Sequence, residues 1–305
     1  MRILYVIDPL ANLNLETETS LLIMEEAARR GHENLISTID DLYLSDTQAR
    51  AGARTITLDL TQQPFYRLGN QSDLALGELD LVVMRKDPPI DAAYLAATFI
   101  LECAAARVPV INDPVSLRTV NEKLLPLAFP AFTPPTLVTN NPQRVADFVA
   151  HHGRSILKPL DDCSGRGIRI LPAGALSPID TGGRFVLVQQ FIDAVSEGDK
   201  RIFLLAGDVL GAVNRIPRHP DQLANIHQGA RVAPTTITAR DHEIIAAVAP
   251  MLIARGLWMA GIDVIGSYLT EINVTSPSAA RQINAVSGTH IEKELVDFLE
   301  TKARR

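Results

Sequence analysis

The stretch GIDVIGSYLTEINVTSPS, Gly261 to Ser278, decides how this chain is read. Apolar and β-branched residues dominate it, so it reads as buried strand, yet it carries Asp263, Glu271 and Asn273. If GIDVI and LTEINV form a hairpin around a three-residue loop of Gly266, Ser267 and Tyr268, positions 263 and 271 are symmetric about Ser267 and face each other. Asn273 then falls on the same side, while Ile262, Val264, Ile272 and Val274 line the opposite face as core. Two facing carboxylates repel, and an uncharged amide neutralises neither. A hard divalent cation would, because Mg2+ takes Asp, Glu and Asn oxygens beside substrate phosphates. A distant Lys or Arg would also serve, and the segment alone leaves both solutions open.

The rest of the chain narrows the setting. Its 305 residues are enough for two or more cores, and an apolar fraction of 47% marks a globular chain. A net charge of −6, with no basic run, gives no electrostatic reason to expect nucleic acid. The opening MRILYVIDPL is too short and too soon interrupted for a signal peptide, and no apolar run approaches membrane-spanning length. Two distant cysteines, Cys103 and Cys163, suit a reducing cytoplasm better than a disulfide framework, which makes the sequons at Asn70 and Asn273 chance matches.

Upstream, strand and helix signals alternate. RILYVI and LDLVVM read as strands, TETSLLIMEEAARRGHE and AAYLAATFILECAAARV as helices, and PVIN as the start of a further strand. This alternation predicts βαβ units and a parallel sheet, with ligands beyond the carboxyl ends of its strands. DPLANLN and RKDPP, the latter beginning at Arg85, fall at such ends, although a solvated loop is the plainer reading of the second. Past NDPVSLRTVNEKLL the pattern turns strand-rich: RSILKPL, GIRIL, RFVLVQQFI and KRIFLLAGDVLGAVNRI. A helix follows over TARDHEIIAAVAPMLIARG, with Thr238 and Asp241 as a cap, Gly256 past its end and Pro250 expected to kink it. The change of character predicts separate domains.

A cation of this kind implies phosphates, and there is no Walker A pattern and no G-x-G-x-x-G to cradle them. The candidates are Lys158 at the end of SILK, the following loop DDCSGRG with Gly165 and Gly167, and Lys123 in NEKLL. Either lysine alone reads more readily as a surface residue; with the carboxylate face they make up a phosphoryl-transfer set.

With these motifs in order (DPLANLN, DLYL, MRKDPPID, SLRTVNEKL, ILKPLD, EGDKRI, RIP, GIDVIG and TEINVTSPS) the chain resembles the bacterial glutathione synthetases of the ATP-grasp superfamily over nearly its full length. The resemblance implies an α/β, ATP-grasp fold: an N-terminal βαβ pre-ATP-grasp domain over 1–122, a lid subdomain over 123–190 and a C-terminal catalytic subdomain over 191–305. It implies Mg2+, or Mn2+ in its place, on Asp263, Glu271 and Asn273, with Asn273 also near the nucleotide. Lys123, Lys158, Gly165 and Gly167 would hold ATP phosphates. Gln189, Gln190, Phe191 and Ile192 would form the adenine hinge, and Asp199 would lie near the ribose. Arg201 and Arg215 would serve the transferred phosphoryl group. Arg85, Asn225, Ser276, Pro277 and Ser278 would face the substrates. The activity implied is ATP-dependent joining of a carboxylic acid to an amine through an acyl phosphate, with γ-glutamylcysteine and glycine as the pair. A cytoplasmic homo-oligomer, dimer or tetramer, is implied too, with small-molecule partners and neither nucleic acid nor membrane.

Departures cluster at the substrate and lid loops. TETS, Thr17 to Ser20, stands where such enzymes carry a Lys-Asp pair before two hydroxyl residues. Asp162 and Arg166 thin out the glycine loop, and Leu223 replaces an arginine in a loop that offers His227, Gln228 and Arg231 instead. Ala279 and Ala280 precede Arg281. Two alternatives therefore stand beside the leading expectation: a ligase of the same chemistry with another acid or amine, and a non-catalytic ATP-binding paralogue. The intact Asp263, Glu271 and Asn273 count against the latter, because a quiet protein has no use for a repulsive carboxylate face.

Overall fold

The computed structural model describes residues 1–161, 167–174, 178–219 and 229–303. Its first strand, β1 (Arg2–Val6), is buried at every position but the first, as a strand covered on both faces must be. Helix α1 (Thr19–Arg29) follows, and the Glu18 side chain caps it by accepting from Ser20 N. Gly31 then takes φ +81°, a left-handed conformation that ends the helix at little cost.

β2 (Glu33–Ser37) runs parallel to β1, and so do β6 (Leu81–Met84) and, beside it, β7 (Val110–Ile111). Between them lie β3 (Leu42–Ser45), β4 (Gln48–Leu58) and β5 (Tyr66–Ala75). These three pair antiparallel, so the expected parallel sheet is the part β2-β1-β6-β7 of a mixed one. The links joining β3, β4 and β5 are too short for a crossover helix, which leaves antiparallel pairing as the available solution. Helices α2 (Ala92–Ala105) and α3 (Pro114–Thr119) complete this part, each opened by an aspartate cap, Asp91 or Asp113.

A four-stranded antiparallel sheet comes next, in the order β10-β9-β11-β8. It is built from β8 (Thr136–Thr139), β9 (Ser155–Pro159), β10 (Arg169–Leu171) and β11 (Val186–Gln190), with α4 (Pro142–His152) packed on it. The third sheet is also antiparallel, ordered β14-β13-β12-β15-β16. Its strands are β12 (Asp199–Leu205), β13 (Asp208–Ile216), β14 (Arg231–Pro234), β15 (Met259–Ile265) and β16 (Tyr268–Asn273). Before β15 lies α5 (Ala239–Ala254), opened by the expected capping box of Thr238 and Asp241; it runs on for four residues beyond Pro250. Helices α6 (Ala280–Ser287) and α7 (Ile291–Ala303) close the chain.

The hairpin of β15 and β16 differs from expectation in one respect. Ile265 pairs with Tyr268, so the loop is the two residues Gly266 and Ser267, not three. That register alone would set Asp263 opposite Thr270. A bulge between Val264 and Asp263 leaves Thr270 without a register partner and restores the pair Asp263 and Glu271. The carboxylates therefore face each other for a different reason than simple symmetry.

Among the described residues, three apolar clusters organise the packing. Two of them mix the first and third sheets: Leu4, Val82 and Leu101 pack with Ile202, Ile262 and Ile272, and Tyr5, Leu21 and Val83 with Phe203, Ile283 and Leu295. The four-stranded sheet keeps its own small cluster of Val145, Val149, Leu157, Leu171, Val186 and Val188. At the far end α7 is clasped to α1. Arg30 binds Glu26 at 2.7 Å and Asp297 at 2.5 Å, and His32 meets Glu300 at 2.8 Å.

Hydrogen bonds from Arg29 hold the Glu26 carboxyl down at about 2 against its burial, with Arg30 adding to the effect. An acid depressed in this way stabilises the fold above its unfolded titration near about 4.3 and loses that contribution as pH falls toward its folded value. Glu26→Gln is therefore expected to be less stable than the parent at pH 7 in urea unfolding, with the gap closing as pH falls from about 4 to about 2. A gap that stayed constant over that window would remove the ionic role of Glu26.

Candidate active site

The third sheet folds so that alternate residues of β12, β13, β15 and β16 place polar groups on one face. Asp199 is in register with Arg215, Arg201 with Asp263, Asp263 with Glu271, and Gly261 with Asn273. On the reverse face Ile202, Ile262, Val264, Ile272 and Val274 are fully or nearly fully buried, as the hairpin pattern predicts. The acids left unneutralised within their own segment find partners from other strands. Arg201 donates to both Asp263 oxygens, at 2.5 and 3.0 Å, and Arg215 Nη2 lies 2.9 Å from Asp263 and 2.7 Å from Asp199. Lys123 Nζ stands 3.6 Å from Glu271.

The row alternates in sign, and that alternation sets its ionisation. Burial would raise Asp263, but the two guanidiniums prevail and lower its pKa to about 2. Burial pushes Asp199 up to about 6, with Arg215 opposing and Asp263 adding to the rise. Burial also works against the charge of Arg215, yet Asp199 and Asp263 leave its pKa raised. One oxygen of Asp199, Oδ1, is buried without a hydrogen-bond partner among the described residues.

The lysines converge on the same row from outside the third sheet, Lys158 from β9 and Lys123 from the turn that follows α3. Lys158 on β9 is lowered by burial, while the charges of Glu271, Asp199 and Asp263 draw it the other way and Lys123 opposes it. Its Nζ donates to Gln189 Oε1 at 3.3 Å, and Gln189 in turn donates to Thr136. Gln190 donates to the His152 carbonyl. The Phe191 ring lies 3.8 Å beneath the Arg154 guanidinium, and Ile192 begins the short turn that leads into β12. Gly167 adopts φ +67°, and a Cβ there would meet Pro159 Cγ at 2.8 Å, so the backbone passes close over the end of β9. Gly165 and Asn225 lie outside the described residues.

Arg85 belongs to a second, adjoining cluster. It is 3% exposed at the end of β6, donates to Ser20 Oγ at 3.0 Å and to the Pro277 carbonyl at 3.1 Å, and lies 3.9 Å from Glu18. Its Nη1 is buried with no hydrogen-bond partner among the described residues. Asp87, hydrogen-bonded to Ser276, is pushed up to about 6 by burial and by Glu18, despite Arg85. Pro277 is buried, whereas Ser276 and Ser278 are half-buried. The turn after β6, for which a solvated loop was the plainer expectation, is thus partly interior and contacts the tail of the opening stretch.

The donor set suits a hard cation shared with phosphates. Glu271 and Asn273 are half-buried rather than sealed, and Asn273 Nδ2 lies 3.3 Å from Asp263 Oδ2. No group of three or more His, Cys, Asp or Glu side chains is gathered for a metal among the described residues. Mg2+ needs none, because it is commonly held by one or two carboxylates together with phosphates and water.

Two contributors were not read from the sequence. Gly261 sits within β15 against Arg201, where a Cβ would come within 3.0 Å of Arg201 Cδ and 3.3 Å of Nη1. A glycine inside an otherwise apolar strand is the available signal for such a close approach. Asn112 (2% exposed) donates to the carbonyls of Met259 and Val274 and accepts from Met259 N, but nothing in NDPV marks it for that task.

Residues 1–118 match the family profile described as the N-terminal domain of prokaryotic glutathione synthetase, and residues 122–288 match that of its ATP-grasp domain. The glutathione synthetase of Gloeobacter violaceus is 43% identical over 312 residues, covering 98% of this chain and 96% of the relative. That of Salmonella typhimurium is 38% identical over 306 residues, covering 97% of each. Among solved structures, the ATP-grasp ligase PsnB complexed with precursor peptide PsnA2 and AMPPNP aligns with a TM-score of 0.64 at 18% identity, over 100% of this chain and 98% of that one. D-alanyl-alanine synthetase A from Vibrio cholerae aligns at 0.61 and 15%, also over 100% and 98%. At those identities the structural likeness bears on the fold alone.

Gly261→Ala tests the packing of the row. The added methyl would push Arg201 away from Asp263, and kcat is expected to fall by about 10- to 100-fold while the fold persists. Unchanged kcat would mean that Arg201 yields without leaving the acid.

Proposed function

The chain belongs to the prokaryotic glutathione synthetase family and is an ATP-grasp ligase, and on that premise we propose that it joins γ-glutamylcysteine to glycine, converting ATP to ADP and phosphate. The observation that carries this reading is the charged row Asp199, Arg215, Asp263, Arg201 and Glu271, met by Lys123 and Lys158 from outside the sheet. Such a surface suits a nucleotide triphosphate whose terminal phosphoryl group is being transferred.

In this reading the acid's carboxylate attacks the γ-phosphorus of ATP, a carboxyl O–P bond forms, and the bond to ADP breaks. The glycine amine then attacks the acyl carbon, the C–N bond forms, and phosphate departs. Lys123 and Lys158 bind the nucleotide phosphates. Arg201 and Arg215, oriented beforehand by Asp263 and Asp199, stabilise charge on the phosphoryl group as it moves. Mg2+ on Asp263, Glu271 and Asn273 would supply further neutralisation of phosphate charge. The unpartnered Oδ1 of Asp199 is free to accept from a ribose hydroxyl, and Gln189 to Ile192 form the adenine edge. Arg85 Nη1 offers a buried donor to a substrate carboxylate beside Ser276, Pro277 and Ser278.

We assign 1–122 to the N-terminal domain, 123–190 to a lid with its own small core, and 191–305 to the catalytic part. A cytoplasmic homo-oligomer remains part of the proposal; no helix among the described residues is long and apolar enough to cross a membrane.

A second reading keeps the chemistry and changes the acid or amine. What favours it is Glu18, whose carboxylate 3.9 Å from Arg85 offsets charge that a substrate carboxylate would otherwise meet. Phosphate release from MgATP separates the two. Release only with γ-glutamylcysteine and glycine together supports the first reading. Release with a different pair and not with these favours the second, and no release with any pair despite ATP binding favours a non-catalytic paralogue. Glu271→Gln is expected to abolish turnover with an unaltered circular dichroism spectrum, and normal turnover would remove the cation assignment.

A further inference from the structure

Register explains why Asp263 faces Glu271, but the sheet's register ends at Asn273, the last residue of β16. The residues just beyond, 274–278, link the cation ligands to the substrate-facing serines without strand pairing. Their backbone is held by side chains instead. Glu122, 7% exposed, accepts through Oε1 from Val274 N at 2.7 Å, Thr275 N at 2.9 Å and Thr275 Oγ1 at 3.0 Å. Its own carbonyl accepts from Ile272 N at 3.0 Å, as a neighbouring strand would. From the other side Asn112 donates to the Val274 carbonyl at 2.8 Å.

Glu122 also sits between two residues that reach other parts of the site. Asn121 Nδ2 donates at 2.8 Å to the Leu160 carbonyl, just past the strand that carries Lys158. Its Oδ1 accepts from Lys123 N and Leu124 N. Lys123 faces Glu271. Three consecutive residues thus tie the end of β9, the tail of β16 and Glu271 to a single short stretch of backbone. A buried carboxylate is costly, and a surface turn would serve to join two domains without one. Three donors converging on one of its oxygens are the arrangement that makes such a group rigid as well as tolerable.

We infer that Glu122 is a positioning residue of the ligation site, which stands in for an absent strand and fixes Asn273 and Ser276 at a set distance from Lys123. The inference rests on the cation and substrate assignments made under the proposed function. Ligands of a cation depend on the groups that orient them, and loss of such a group commonly weakens metal binding by about 10- to 100-fold.

The test uses the full chain, with Mn2+ as probe in the presence of ADP, titrated by electron paramagnetic resonance without acid or amine. Glu122→Ala is expected to bind Mn2+ about 10- to 100-fold more weakly and to lose kcat with little change in KM for ATP. Glu122→Gln keeps an oxygen acceptor and is expected to recover most of both. An Ala variant with a lowered melting temperature but parental Mn2+ affinity and parental kcat per folded molecule would overturn the inference, since that is what a purely structural role predicts. Should Glu122→Ala fail to fold, Thr275→Val removes one donor to Glu122, and several-fold weaker Mn2+ binding is expected; parental binding there overturns it equally. A parent protein that binds no Mn2+ with ADP would overturn the cation assignment and this inference together. A parent that binds Mn2+ yet does not turn over γ-glutamylcysteine and glycine overturns only the choice of substrates.

Discussion

A carboxylate held between two guanidiniums on a buried sheet face is the constraint on which the rest of this structure turns. Asp263 is buried, and without Arg201 and Arg215 it would have to take a proton or leave the interior. With them it stays charged, and its charge in turn orients both arginines toward whatever occupies that face. The arrangement costs desolvation, and ion pairs of this kind are a poor way to stabilise a fold. Their value here is orientation: donors fixed in advance need not reorganise when phosphoryl charge shifts.

Packing divides the molecule in a way that serves that face. The first and third sheets share two apolar clusters, so the charged row is carried on a large common core. The four-stranded sheet has only a small cluster of its own, and it brings Lys158 to the row from outside. One polar link between the parts is the short run Asn121 to Lys123, which is bonded to both sides.

Much of this is legible in the sequence. Alternation of acid and apolar residues along GIDVI and LTEINV put Asp263, Glu271 and Asn273 on one side and the core on the other, because strand side chains alternate with period two. The helix cap at Thr238 follows from local chemistry in the same way. The antiparallel strands β3 to β5 are less legible, since the buried alternate positions of QARAGARTITL are mostly alanine, a weak strand former, and YRLGNQSDLA has few apolar residues. The loop length is not legible, because a bulge at Thr270 and a shorter turn cancel in the register, and no sequence pattern distinguishes that from a longer loop.

What the sequence by itself determined was which face of the hairpin is charged and which chemistry a charged face of that composition can perform; both depend only on residue type and local periodicity. Tertiary structure alone decided how the charge is balanced. Arg201 and Arg215 come from strands about 60 and 50 residues away, Lys123 from farther still, and Glu122 reaches Val274 across 152 positions. Which charges meet over such separations is set by strand order and register, and these follow from the packing of whole sheets.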